Sequence, residues 1–261
     1  MICIKKATKQ TAALFEGWEE TILWSCLQGI MGALYINDRK HPVSAMAALG
    51  DFAFFAGKAS AELAAYKPPQ NKKGFSIMIP QNREWKETLL ACHKDRAKIV
   101  SRYATKKEPG IFDKEKLKKI ISLLPDGYEL NRINRPLYEQ CKAETFSADL
   151  VSQFPRYEDY QKLGLGAVIQ KDSRIVSGAS SYSRYRHGIE IEIDTHKEFR
   201  RKGFALICGA KLILECLERN LYPSWDAQNT ASLALAKKLG YRYSHTYEAV
   251  ELCSEPPGAA V

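Results

Sequence analysis

The pattern of apolar and polar positions changes its period close to residue 200. In Gly188–Thr195, GIEIEIDT, isoleucines alternate with acidic residues. Such alternation predicts a β-strand with one apolar and one acidic face. From Phe204 to Leu217 the apolar residues follow helical spacing, and the short basic stretch before them contains Gly203. The sequence therefore predicts a strand, a basic turn and a helix in direct succession.

The basic turn has the composition of an anion site. The first amides of a helix have no intrahelical partner and carry the positive end of the helix dipole. Gly203 lacks a Cβ atom, so a ligand oxygen can approach the backbone closely. Arg200, Arg201 and Lys202 add positive charge beside it. These features predict a diphosphate site, although neither the GxxxxGK[ST] loop nor the GxGxxG fingerprint is present.

The first half of the chain resembles the second half in its pattern. GALYINDRKHPVSAMA, from Gly32, parallels GAVIQKDSRIVSGASS, from Gly166, and an apolar strand follows each. The first half has no basic glycine turn after that strand. We expect an N-terminal α/β domain of residues 1–110 and a second domain of residues 111–261. Two unrelated α/β hairpins are the alternative explanation of the similarity.

Two further elements are predicted near the ends of the chain. The apolar positions between Thr11 and about Cys26 fall near one helical face, which predicts one helix. The stretch from Tyr241 to Cys253 is expected to form a pair of strands.

The basic turn and the residues after it resemble the GNAT acetyltransferases. Arg200–Ala205 stands as RRKGFA, which is similar to motif A of that family, [QR]-x-x-G-x-[GA], and it follows an extended strand as in the family. A short strand, Asn229 and a helix ending in Gly240-Tyr241 then follow, as the family pattern requires.

The resemblance implies an α/β (α+β) fold of the GNAT type. Its mixed, mostly antiparallel sheet would be splayed, with helices on both faces, and a degenerate GNAT-like half would precede it. Acetyl-CoA would lie in the splay, without a metal. Asn229 would bond the pantetheine arm, or would cap its helix, or both. The cofactor-binding residues implied are Ile193, Asp194, Thr195, Arg200, Arg201, Lys202, Gly203, Phe204, Ala205, Asn229 and Ser232.

The implied chemistry is transfer of an acetyl group to the primary amine of a small molecule. A base must take the proton of the amine, and Glu190 or Glu192 has the place of the family base, although either is also compatible with a plain salt-bridged strand residue. The tyrosine that protonates the leaving thiolate in the family is Ala236 here. Tyr241 or Tyr243 would then be the acid, or the thiolate leaves unprotonated. A catalytically silent acyl-CoA-binding or regulatory protein is the alternative function.

The extra length before this region resembles the GNAT subgroup that includes zwittermicin-resistance acetyltransferases. That resemblance implies a bacterial enzyme whose partners are acetyl-CoA and a small amine. A homodimer contact is one role open to the N-terminal half.

Composition limits the kinds of binding partner and the cellular compartment that we expect. The chain has 261 residues and a formal charge of +9, which suits a polyanionic cofactor, and the basic residues do not alternate with aromatic residues as in nucleic-acid-binding strands. The seven cysteines form no CxxC or zinc spacing, which is typical of a reducing compartment. The most apolar run, Ile22–Ile36, is too short and too polar to span a bilayer. We expect a cytoplasmic protein without membrane or nucleic-acid partners.

Overall fold

A computed structural model describes residues 1–69, 71 and 74–253 of the chain. Contacts between Cα atoms divide it into two compact units. The first comprises Met1–Arg102 and the chain from Thr246 onward, and the second comprises Tyr103–His245. The predicted boundary after residue 110 lies inside the second unit. Residues 254–261, which the predicted second domain includes, lie outside the described residues.

The first unit contains a sheet with the strand order β1-β2-β3-β4-β5-β13. Neighbouring strands are antiparallel except for β4 and β5, which are parallel. The strands are β1 (Ile2–Ile4), β2 (Ala33–Ile36), β3 (Ser44–Leu49), β4 (Phe52–Gly57), β5 (Ser76–Pro80) and β13 (Tyr243–Leu252), and β6 (Ala97–Thr105) leads into the second unit. The helices are α1 (Lys9–Leu14), α2 (Thr21–Gln28), α3 (Ala61–Ala65) and α4 (Arg83–His93).

The second unit contains a sheet with the strand order β11-β10-β9-β8-β7. Its strands are antiparallel except for β10 and β11. The strands are β7 (Glu129–Arg132), β8 (Gly166–Lys171), β9 (Arg174–Tyr185), β10 (Gly188–Thr195), β11 (Tyr222–Ser224) and the short β12 (Asp226–Ala227). The helices are α5 (Lys114–Ile121), α6 (Arg135–Ala143), α7 (Tyr157–Leu163), α8 (Phe204–Glu218) and α9 (Thr230–Leu239).

Helices lie on both faces of the second sheet. Its first face carries the apolar side of β10, where Ile189 is fully buried in a core that α8 completes. Gly209 in α8 lets Ile193 and Leu239 approach, because a Cβ atom at that position would meet both side chains. On the other face, Tyr160 of α7 bonds the hydroxyl of Ser180 in β9. The predicted mixed and mostly antiparallel sheet with helices on both faces is confirmed.

The two units repeat one chain path. In each, three antiparallel strands are followed by a helix, a strand parallel to the third, and a further helix: β2, β3, β4, α3, β5, α4 in one, and β8, β9, β10, α8, β11, α9 in the other. The two copies differ in the helix that follows the third strand, since α3 has only 5 residues whereas α8 has 15.

The parallel strands of the first unit stay joined. Four consecutive residue pairs connect β4 and β5, from Phe52–Ile77 to Phe55–Pro80. At the end of β4, Gln81 accepts a hydrogen bond from Gly57 N at 2.8 Å, and its side-chain amide donates to Leu14 O at 2.6 Å. Trp85 Nε1 donates to Gly57 O at 2.8 Å. These bonds hold the end of β4 against α1 and α4.

Two sequence-based predictions near the termini are wrong. The predicted helix from Thr11 to Cys26 is two helices, α1 and α2, because Gly17 adopts a left-handed φ of +84° that no α-helix accommodates. The predicted strand pair from Tyr241 to Cys253 is the single strand β13, which pairs with β5 through Val250 and Met78.

Glu215 is a charge buried at the edge of the second core. Only 1% of it is exposed, and its oxygens accept hydrogen bonds from Arg132 Nε, Lys211 Nζ and Arg219 Nη1. Burial raises its pKa, but these hydrogen bonds more than reverse that shift, so the net pKa is lowered. A lowered pKa stabilises the fold above the unfolded-state pKa, and the contribution disappears as pH falls through the folded-state pKa.

Replacing Glu215 is expected to destabilise the second unit in a pH-dependent way. We expect Glu215→Gln to lower the free energy of unfolding at neutral pH by about 2 kcal/mol, less than for a fully buried pair because Arg132 remains partly solvated. The difference from the wild type should shrink below about pH 4.3. Glu218→Gln is the control, since Glu218 is exposed on the same helix. Urea unfolding at neutral and acidic pH measures both, and an equal effect of the two variants would contradict the role given to Glu215.

Candidate functional site

The sheet of the second unit opens between β10 and β11. Only three residue pairs join these strands, Gly188–Tyr222, Ile189–Pro223 and Glu190–Ser224. The chain then leaves β10, and β12 pairs with Tyr103 and Ala104 instead. In the described part of the chain, the rest of β10 pairs with β9 alone. One edge of this strand therefore remains available for a ligand that bonds like a strand.

Glu190 stands at the point where the strands separate. It is 5% exposed, and its Oε1 accepts a hydrogen bond from Asp226 N at 2.6 Å. Asp226 is the first residue of β12, just after β11 ends. The Glu190 carboxylate therefore accepts the backbone N–H of the chain at the point where it turns away from β10. Glu190 thereby fixes the opening, a role that sequence reasoning did not assign because Asp226 lies 36 positions away.

The next acidic side chains of β10 lie within the opened stretch. Glu192 and Asp194 are half-buried and lie opposite Ser180 and Gly178 of β9. Burial raises the pKa of Asp194, although Thr195 N donates to its Oδ1 at 2.6 Å. The sheet thus carries carboxylates beside a free strand edge.

The basic turn joins this edge to α8. Arg200 Nε donates to Thr195 O at 3.2 Å, and Thr195 Oγ1 lies 2.7 Å from Ser177 Oγ. Arg201 and Gly203 both have positive φ, +65° and +85°. A Cβ atom at Gly203 would meet no atom within 4 Å, so the space beside this glycine is open. The turn therefore presents an open backbone, flanked by positively charged side chains, at a helix start.

Aromatic packing holds the start of α8. Phe204 is 2% exposed, and its ring contacts Tyr128 and Phe199, with centroids 4.7 and 6.4 Å away. Lys202 Nζ lies 4.9 Å from the Phe199 ring centroid. Leu206 N and Ile207 N already bond Gly203 O. The amides before Leu206 belong to the first turn, whose donors have no intrahelical acceptor.

Asn229 and Ser232 form the start of α9. Asn229 is its N-cap and accepts a hydrogen bond from Ser232 N at 2.8 Å. Ser232 Oγ accepts from Trp225 Nε1 at 3.1 Å, which ties the helix to the chain between β11 and β12. The capping role considered for Asn229 is therefore present, and its exposed side-chain amide still offers donors to a ligand.

The candidate acids differ in their surroundings. Tyr241 is 3% exposed, its Oη donates to Pro223 O at 2.6 Å, and burial raises its pKa well above the usual value. Its ring packs against Phe112 and Trp225. Tyr243 is 40% exposed, and Ala236 is fully buried in the core. Tyr241 has the environment of a packing residue.

Within the described residues, no group of three or more His, Cys, Asp and Glu side chains is arranged to hold a metal ion. None of the described helices has the length and apolar character required to cross a membrane.

The sequence model of the family described as GNAT acetyltransferase matches residues 12–250. The chain belongs to this family. This GNAT chain is 28% identical over 233 residues to the protein named uncharacterized N-acetyltransferase YdfB of Bacillus subtilis (strain 168), a match that covers 85% of this chain and 86% of YdfB.

Solved structures extend the comparison. A crystal structure of a GCN5-related N-acetyltransferase-like protein from Streptococcus suis 89/1591 superposes with a TM-score of 0.88 and 43% identity, over 93% of this chain and 96% of that chain. A GCN5-related N-acetyltransferase from Kribbella flavida has a TM-score of 0.52 at 15% identity, over 83% and 88% of the two chains, and shares the fold.

Gly203→Asp is expected to weaken binding of CoA by about tenfold or more, since it places a negative charge at the anion site. Gly127→Asp is a matched control, because Gly127 also has a positive φ and open space and lies in the same unit. Both variants carry the same backbone strain and charge, and calorimetric titration measures their affinities. Equal affinities would place the diphosphate away from this turn.

Proposed function

We propose that the protein transfers the acetyl group of acetyl-CoA to the primary amine of a small molecule. The observation that carries the proposal is the juxtaposition of an opened β10 edge with the basic turn at the start of α8. Membership of the GNAT family supports acyl-CoA-dependent N-acetyl transfer, and the small amine is the finer part of the proposal. The zwittermicin-resistance subgroup stays a proposal of the same kind.

The residues present fit acetyl-CoA. The edge of β10 at Ile193–Thr195 would bond its pantetheine arm through the backbone groups that Asp194 and Arg200 do not already engage, and Asn229, the N-cap of α9, would donate to that arm. The open backbone from Arg201 to Ala205 would hold the diphosphate, with Arg200 and Lys202 adding charge. When bound, acetyl-CoA supplies an activated acyl group as its thioester.

We assign the general base to Glu192. An amine must be neutral to attack, so a nearby carboxylate has to accept its proton. Glu190 lies at the last residue pair between β10 and β11, where its Oε1 accepts from Asp226 N, and Glu192 lies two residues further along β10, in the stretch that has left β11. Glu190 is then a positioning residue that keeps the edge open.

The proton for the leaving thiolate has no assigned donor in this proposal. Tyr241 is predicted from the sequence as this donor, but its buried hydroxyl is bonded to Pro223 O. Tyr243 is more exposed. A thiol has an ordinary pKa of about 8.5, so the thiolate is also a tolerable leaving group without a proton donor.

A catalytically silent acyl-CoA-binding protein is the second candidate function. The buried Ala236 at the family tyrosine position and the sequestered hydroxyl of Tyr241 favour it. Both candidates bind acetyl-CoA, so turnover separates them.

The two functions are tested by binding and turnover on the same protein. Saturating acetyl-CoA is expected to raise the unfolding temperature, because a ligand present at about 100 times its dissociation constant stabilises the native state by about 2.7 kcal/mol. Release of free CoA is then measured with a panel of small amines. Binding with turnover supports the enzyme, binding without turnover on the whole panel supports the silent protein, and no binding contradicts both.

The assignment of the base is tested by paired substitutions. Glu192→Gln is expected to lower kcat by about 100-fold with little change in acetyl-CoA affinity, because a glutamine cannot accept the proton. Glu190→Gln retains a carbonyl oxygen for Asp226 N, so its kcat should fall by less than about tenfold. Steady-state kinetics with the best amine measure both. The reverse order would assign the base to Glu190, and two unchanged values would assign it to water or to another residue.

A further inference from the structure

A cavity lies within the first unit, on elements that the acyl-transfer chemistry does not use. Its volume is about 220 Å³. The walls come from β3, β4, β5, β13, the ends of α3 and α4 and the segment after α3, all within the first unit. Its lining includes Met46, Phe55, Lys67, Asn71, Met78 and Arg96.

One part of the lining is apolar. Met46, Phe55, Met78 and Leu252 belong to the buried core of the unit, together with Ala53. An apolar cavity of about 150 Å³ in another protein holds benzene, so a cavity of this size has room for an apolar body of about nine non-hydrogen atoms. The walls therefore select the hydrophobic part of a small organic molecule.

The remaining lining is polar and cationic. Lys67 and the half-buried Arg96 contribute positive charges, and the described lining contains no aspartate or glutamate. His93 is 8% exposed, and its Nε2 lies 3.0 Å from Ala64 O. Burial lowers the pKa of His93, which favours its neutral form. Arg96 and Lys67 therefore supply the positive charge of the lining. A buried or half-buried cation without a carboxylate beside it favours an anionic ligand group.

The polar end is not closed by the protein's own hydrogen bonds. Asn71 Nδ2 donates to Phe75 O at 2.9 Å and to Ser76 Oγ, but Asn71 Oδ1 is buried without a donor among the described residues. A buried acceptor in this state needs a donor beside it. An anionic group has no proton to donate, so a water that donates both to Asn71 Oδ1 and to the ligand's anionic group would complete this end of the cavity.

We propose that this cavity binds a small carboxylic acid with an apolar body, of which octanoate is the simplest probe. The carboxylate would be held by Arg96 and Lys67, and the hydrocarbon would lie against Met46, Phe55 and Met78. The first unit would then be a small-molecule-binding module, separate from the acyl-CoA chemistry of the second unit.

The test uses full-length protein labelled with ¹³C at the methionine methyl groups. Met46 and Met78 line the cavity, whereas Met31 does not and serves as the internal reference. Octanoate is expected to shift the Met46 and Met78 signals saturably and to leave Met31 unchanged. Octanol and octylamine match its length, and each should bind about tenfold more weakly or worse, because neither offers Arg96 and Lys67 an anionic acceptor.

Two variants test the charge of Arg96 and the space of the cavity independently. Arg96→Met should weaken octanoate about tenfold and leave octanol unchanged, since it removes the charge and keeps the apolar stem. Arg83→Met is the control on the same helical region, because Arg83 is exposed and bonds Glu87. Ala53→Leu fills the cavity and should abolish binding, and the Arg96→Met comparison stands even if that variant does not fold.

Three results would overturn the proposal. The first is the absence of a saturable shift at Met46 and Met78, and the second is octylamine or octanol binding as tightly as octanoate. The third is a variant result: octanoate still binds the folded Ala53→Leu protein, or Arg96→Met and Arg83→Met lower octanoate affinity equally.

Discussion

A sheet can open along a strand edge only if the backbone groups exposed by the opening find other partners. In the second unit one buried carboxylate meets that requirement, since Glu190 accepts the amide of Asp226 where β11 ends. An unpaired buried donor there would cost about 1–3 kcal/mol. Beyond β11, the backbone of Asp226 and Ala227 pairs with Ala104 and Tyr103. The edge of β10 that faces away from β9 begins at this point.

The sequence predicted the elements of the site well, because local periodicity determines them. The alternation of Gly188–Thr195 and the helical spacing after Gly203 appear as β10 and α8, with Gly203 at the helix start. The difference between Glu190 and Glu192 could not be read in the same way. Both lie on one face of one strand, and only the length of the β10–β11 ladder shows that the first is at the opening and the second beyond it.

Long-range contacts account for what sequence reasoning missed. Nothing near Tyr241 in the sequence indicates that its hydroxyl bonds Pro223 O, and nothing near Val250 indicates a partner in β5. The residues of the cavity in the first unit come from separate strands and helices with no common spacing. The repeat is visible in the sequence, but Gln81, which joins the end of β4 to the last residue of α1, belongs to no motif.

The position of β13 also constrains how the chain is made. Residues 250–252 pair with β5, which precedes the whole second unit in the chain, so the sheet of the first unit lacks a strand until β13 has been made. During synthesis the edge of β5 at Ile77 and Met78 is therefore uncovered while the whole second unit emerges from the ribosome. An unpaired apolar edge is a site for mispairing between chains, so this unit is exposed to that hazard for longer than a unit built from contiguous sequence.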